Sequence, residues 1–424
     1  GLQPAGPAFS AQASQVMAGE FGAIADLPAP AVGIAFFRER IQRDPADAIS
    51  YTLLGQLHMR VARERGDVAS YQRAEYALTK ALELLPDYGP AQASLAAAYY
   101  SQHNFKRAIE LAEQVYQDDP RMVQALATAA DSSLELGLYR EAEEAYRMLL
   151  EQGEGAGTLA RVAHLEELKG HNDEALRLME RANAQELLMG ESREGVAWYV
   201  TRLGDMYFNA GRLEDAAARQ SQAVKVLDNY YLGLSGLART RAAQGAYDEA
   251  IRLYQQATAI NPQPAMVAAL GDLYARVGQS EAAEGQYRTV EIIGQLTAIN
   301  QQVYNRELAL FYANHDISLA DSLDLASREI AVRPDIYGYD ALAWALFKNG
   351  RVEEASTAMA EALKLGTQDA NLFYHAGKIA DAQGASAEAK HYLEQALALN
   401  PHFSLLFEED AAALLGRLQT RSYR

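Results

Sequence analysis

The apolar positions near the start of the chain fall at helical spacing. Ile34, Phe37 and Ile41 share one face of a helix that is predicted to stop at Arg43-Asp44-Pro45, because proline has no amide to donate and its ring crowds the preceding turn. From there on the pattern repeats. A small residue, followed four residues later by a larger one and three after that usually by another Ala, recurs at Ala74, Ala108, Ala142, Ala175, Ala216, Ala250, Ala283, Ser322, Ala355 and Ala389. The successive spacings are 34, 34, 33, 41, 34, 33, 39, 33 and 34. A second small residue precedes most of these by 12: Ala96, Ala130, Ala163, Gly204, Ala238, Gly271, Ala343 and Gly377. Paired small residues predict two helices that cross closely, since a larger side chain would hold their backbones apart. Between them Gly137, Gly170, Gly211, Gly245, Gly278, Gly350 and Gly384 each stand 7 residues past the first small residue, where glycine can take the left-handed conformation that ends a helix. Each unit therefore reads as helix, glycine turn and helix, often closed by proline (Pro86, Pro120, Pro262, Pro401).

Two units show the pattern in full: Leu203-Gly204, Tyr207, Gly211 and Ala216, and Leu270-Gly271, Tyr274, Gly278, Ala283 and Tyr287. On these residues the chain resembles the tetratricopeptide repeat family, over about ten units from 48 to 403. The resemblance implies an all-α fold, a right-handed α-solenoid in which each hairpin buries its apolar face only by stacking on its neighbours. Residues 31–47 would form a leading cap. Residues 404–424, with Leu405, Leu406, Phe407, Leu414, Leu415 and Leu418 set among Glu408, Glu409 and Asp410, would form a closing one. The eighth unit, around Tyr304 to Arg333, lacks the turn glycine and has Ser322 where Ala is usual, which leaves its register open by a residue. In the first unit 19 residues rather than 12 separate Gly55 from Ala74, so an insertion around Arg63-Glu64-Arg65-Gly66 lengthens the hairpin. Linkers near Gln185–Glu194 and Glu291–Gln302 account for the two long spacings. The stretch from Arg333-Pro334-Asp335 to Gly350 is also similar to a group of bacterial repeat proteins, often exported, with no assigned activity.

Composition narrows the chemistry. A net charge of −18 repels phosphate backbones and anionic lipid, so nucleic acid is not an expected partner. With no Cys there is no thiolate nucleophile, disulfide or Cys-ligated metal. No apolar run reaches the roughly 18 to 20 residues of a membrane span. Residues 1–30, rich in Ala, Gly and Pro and free of Lys and Arg, predict a flexible tether. A start at Gly1 fits a trimmed chain or a mature exported, periplasmic protein whose signal has been removed, with a cytoplasmic protein as the alternative.

No phosphate loop, nucleophile elbow or His-Glu-x-x-His motif occurs, and no enzyme, cofactor or metal is expected. His164, Glu167 and His171 come closest to a ligand set, with two of the three predicted on different faces. Paired carboxylates such as Glu143–Glu144 and Glu353–Glu354 fit acidic first turns.

In tetratricopeptide arrays the first helix of each hairpin lines a concave groove. The resemblance implies that Trp198, Asp205, Phe208, Arg239, Asp272, Tyr337, Asp340, Trp344, Phe347, Tyr374 and Lys378 face it, with Asp131, Glu167 and Asp381 adding to its acids. Two readings fit the aromatics. They are binding anchors, or they plug the interior of a tight superhelix. The excess of acids over Arg239 and Lys378 favours a neutral to basic protein or peptide ligand. The implied function is a non-enzymatic interaction scaffold. The alternatives are a structural subunit of an envelope or secretion assembly that self-associates through its ends, and a small-molecule or carbohydrate-binding module.

Overall fold

In the computed structural model the described residues are 30–190, 192–299 and 305–421. The tether expected over 1–30 lies outside them, apart from Pro30 at the head of the first helix, and so does Tyr304. Among the described residues there are 22 helices and no strand. The leading helix α1 (Pro30–Arg43) stops before Pro45. Ten hairpins follow, unit 1 being α2 and α3 and unit 10 being α20 and α21. Their first helices are α2 (Ala48–Arg65), α4 (Gly89–Ser101), α6 (Val123–Glu135), α8 (Ala156–Leu168), α10 (Arg193–Asn209), α12 (Tyr231–Ala243), α14 (Pro264–Arg276), α16 (Asn305–Asn314), α18 (Ile336–Lys348) and α20 (Ala370–Ala382). The closing helix is α22 (Glu408–Arg421).

The repeating small residues sit where the two helices of a hairpin cross. All ten, from Ala74 to Ala389, are buried, and a Cβ on Gly204 would stand 3.3 Å from the Ala216 carbonyl oxygen. Interiors packed to crystal density leave no room there for a larger side chain. The seven turn glycines all have positive φ. His103 in unit 2 takes the same conformation (φ 59°) at the position where glycine is missing.

Unit 8 also resolves. Ala309 is its buried small residue and Asp316 (φ 54°) its turn, and the Ser322 hydroxyl donates to the Ala309 carbonyl at 2.7 Å. Ser322 therefore holds the crossing through a hydrogen bond where other units use a methyl group. In unit 1 the insertion extends both helices, α2 to Arg65 and α3 (Val68–Leu84) back to Val68. Seven residues are close to two helical turns, so both apolar faces keep their phase.

The solenoid coils tightly enough for successive turns to touch. The loop inside a hairpin rests on the junction five to six units further along. Gly66 of unit 1 faces Asn261, Gly137 of unit 3 faces the Pro334 carbonyl, Gly170 of unit 4 faces the Gly366 carbonyl, and Gly211 of unit 5 faces the Leu399 carbonyl. Hydrogen bonds close the seam. The Ile336 amide donates to the Tyr139 hydroxyl at 2.8 Å, Asn400 Nδ2 donates to the Phe208 carbonyl at 2.8 Å, and the Thr367 hydroxyl donates to the Leu168 carbonyl. Arg333 bridges to Glu135 at 3.5 Å, and Ile336, fully buried, packs among the side chains of units 3 and 4. With the turns in contact, the concave face becomes the narrow interior of a coil.

Candidate binding groove

The interior carries a ladder of ion pairs, each joining the first helix of one unit to the next. Arg161 Nε donates to Asp131 at 2.9 Å between units 3 and 4, Arg202 binds Glu167 between units 4 and 5, and Arg239 binds Asp205 at 2.8 Å between units 5 and 6. The ladder resumes with His315 and Asp272 at 2.7 Å between units 7 and 8. Arg306 pairs with Asp335 between units 8 and 9, and His375 with Asp340 at 2.8 Å between units 9 and 10. The last rung reaches the closing helix, where Lys378 Nζ and the Tyr374 hydroxyl both donate to Asp410 at 2.8 Å. Burial pushes Glu167 up, yet Arg202 and His164 override it and hold the carboxyl at about 2. His315 is likewise pushed down by burial and raised overall by Asp272.

The pairing changes the charge expected of this face. Of the acids Asp131, Glu167, Asp205, Asp272, Asp340 and Asp381, the first five each meet a base on the next unit. Three of them, Asp131, Glu167 and Asp205, meet a fixed cation, which offsets part of the acidic excess that favoured a neutral to basic ligand. His164 contacts Glu167 at 3.4 Å whereas His171 binds Glu166, so the three side chains do not converge as a ligand set.

Between units 6 and 7 the described residues show no such rung, and there the face opens. A cleft of about 370 Å³ is lined by Trp198, Thr201, Arg202, Asp205, Gly236, Arg239, Tyr254 and Met266. Trp198 is the one large aromatic of the expected set left exposed, at 39%. The Arg239 guanidinium lies 4.2 Å over the Phe208 ring while Asp205 holds one of its nitrogens. Arg239 Nε and the hydroxyl of the buried Thr201 find no partner among the described residues, so two donors stand ready for an acceptor. Phe208 itself is buried at 3% and, with Arg239 and Asp272, borders a second cleft of about 220 Å³.

The other expected anchors are core. Trp344 is 1% exposed, its ring stacked on Phe347 at 5.1 Å and on His375 at 4.2 Å, with its indole nitrogen donating to Asn314 at 2.8 Å. Tyr374 and Asp340 are buried at 3% and 7%, and Tyr337 packs on units 3 and 4 across the seam. As open anchors these positions are corrected. The coil is so tight that its own later turn and closing segment cover them.

Arg161, Arg202 and His375 escaped the sequence reading. All three lie two residues before the small crossing residue (Ala163, Gly204, Gly377), outside the set expected to face the groove. A base recurring at that offset, one unit after an acid, was the available signal.

Comparison with known proteins identifies part of the array. A family model described as tetratricopeptide repeat matches residues 201–265 and 341–402, and the model of subunit 3 of the anaphase-promoting complex, cyclosome, matches residues 67–149. The segments 201–265 and 341–402 are tetratricopeptide repeats. The tetratricopeptide array is similar to the human protein O-mannosyl-transferase TMTC1, with 28% identity over 228 residues. That match covers 52% of this chain and 25% of the human protein, a quarter of its length. Among solved structures, yeast Tom70 aligns at 15% identity over 92% of each chain with a TM-score of 0.37. A tetratricopeptide repeat protein from Parabacteroides merdae aligns at 19% identity over 63% of this chain and 100% of its own, with a TM-score of 0.35.

Proposed function

We propose that this tetratricopeptide array is a non-enzymatic scaffold that holds a segment of a partner protein in the cleft between units 5 and 7. The observation that carries the reading is the gap in the ion-pair ladder. Where the rungs stop, Arg239 Nε and Thr201 Oγ1 are buried donors without a partner among the described residues, beside a half-exposed indole. Such a site suits an extended peptide, whose carbonyls accept from the two donors while a side chain stacks on Trp198. Burying donors without partners costs about 1 to 3 kcal/mol each, so a ligand that satisfies them recovers that cost on binding.

The test is affinity capture from the source cell with the wild-type chain and with Trp198→Ala/Arg239→Ala. Partners retained by the wild type and lost by the double variant support the cleft. Identical captures from the two chains would contradict it.

A further inference from the structure

The segment that follows unit 10 does more than close the solenoid. A cap has only to cover the last hairpin, and α22 does so with Ala411, Leu414 and Leu418, all buried against unit 10. The residues just before it and those of its first turn, Glu408 to Asp410, reach much further. Leu405 packs into the cluster of units 6 and 7, and Glu408 and Glu409 face Arg276 at the end of α14, at 3.9 Å and 2.7 Å. Phe407 stacks on Tyr374 at 4.7 Å and meets Trp344 edge-on at 5.9 Å, so it covers two of the aromatics expected to meet a ligand. Asp410 takes two donors that α20 offers to the interior, Lys378 and Tyr374. The stretch from Phe403 to Asp410 thus occupies the concave face as a ligand would, with apolar rings first and carboxylates after.

Its fit is partial. The cleft of about 220 Å³ lies between this segment and the ends of the first helices of units 5 to 8, and it shares Arg239 and Tyr254 with the open cleft. Leu406 is exposed at 37% and Leu405 only half-buried. The segment is therefore held by a few separable contacts beside empty space, and the face it covers is continuous with the site proposed above.

We propose that residues 403–410 are an intramolecular ligand of the concave face, and that the partner segment which displaces them has the same chemistry, aromatic and aliphatic residues followed by carboxylates. Leu405 and Phe407 mark the apolar subsites, and Arg276 and Lys378 the cations that read the acids. This inference rests on the groove reading, and it sets the sign of the ligand against the basic preference drawn from the sequence.

The probe is a fluorescein-labelled peptide of residues 401–412, titrated by fluorescence anisotropy with the full chain. The wild type is expected to bind weakly, because its own segment competes. Leu405→Ser, which touches no contact of α22 with unit 10, and Phe407→Ala are expected to bind at least tenfold more tightly, and adding Arg276→Glu should remove the gain. Leu405→Ser chains that melt cooperatively yet bind no better than wild type would overturn the proposal, as would a doubling of their mass in light scattering, which would make a second copy the occupant. Loss of capture by Trp198→Ala/Arg239→Ala alongside such a negative result would leave the groove reading standing and remove this one alone.

Discussion

The indole of Trp344 lies nearly parallel to the imidazole of His375, 4.2 Å between ring centres and 15° between planes, while His375 Nδ1 and Asp340 are joined at 2.8 Å. The stack joins unit 9 to unit 10 and locks the ladder rung beneath it. Truncating Trp344 to Ala should cost about 3 to 5 kcal/mol in denaturant unfolding, the range for a large buried aromatic. Trp198→Ala should stay within about 0.5 kcal/mol of wild type, as exposed positions do. Equal effects at the two sites would contradict the placement of either ring.

The hairpin crossings give a second expectation. Ala250→Leu and Ala355→Leu place a larger side chain at positions with no exposed surface and should each destabilise by about 1 to 3 kcal/mol through overpacking. Variants that melt like wild type would show the crossings to be looser than the structure has them.

The contact between superhelical turns can be isolated with two glycines. Gly245 (φ 78°) has open space where a Cβ would go, whereas a Cβ on Gly211 (φ 71°) would come within 2.8 Å of the Leu399 carbonyl oxygen. Both alanine variants carry the left-handed strain of about 1 to 2 kcal/mol, and Gly211→Ala should lose more on top of it by prising the turns apart. Equal losses in melting experiments would mean that the seam adds nothing to stability.

Two rungs should respond oppositely to pH. Glu167 is held near 2, below its ordinary 4.5, so its contribution is present above pH 4.5 and fades as the pH falls toward 2. His315 is raised above 6.5, so its contribution is complete below pH 6.5 and is lost as the pH climbs through the raised value. Unfolding of wild type against Glu167→Gln and His315→Gln across pH 3 to 9 checks both. The Glu167 difference should shrink toward acid and the His315 difference toward alkali.

What the sequence made legible was local. Glycine at the turn is demanded by its own φ, and a small residue at the crossing by the helix it touches, so both repeat visibly along the chain. Unit 8 hid its register because Asp316 and Ser322 meet the same needs by other means, a tolerated left-handed residue and a hydroxyl bonded to a carbonyl. The seam was not legible. Its partners lie 188 to 199 residues apart, as in Gly211 with Leu399 and Thr367 with Leu168, and no short-range pattern marks them. For the same reason Trp344 read as a groove anchor. Its inner position was right, but how far the coil would tighten over it depended on those distant contacts.

Trp198 as a reporter tests the central claim most directly. In a Trp344→Phe chain it is the sole indole, and its emission should be red-shifted and open to acrylamide quenching when the protein is free. Adding a partner recovered by capture should shift that emission to the blue and shield it from the quencher. If the partner binds and Trp198 emission and quenching stay as they were, the cleft between units 5 and 7 is not where the partner sits.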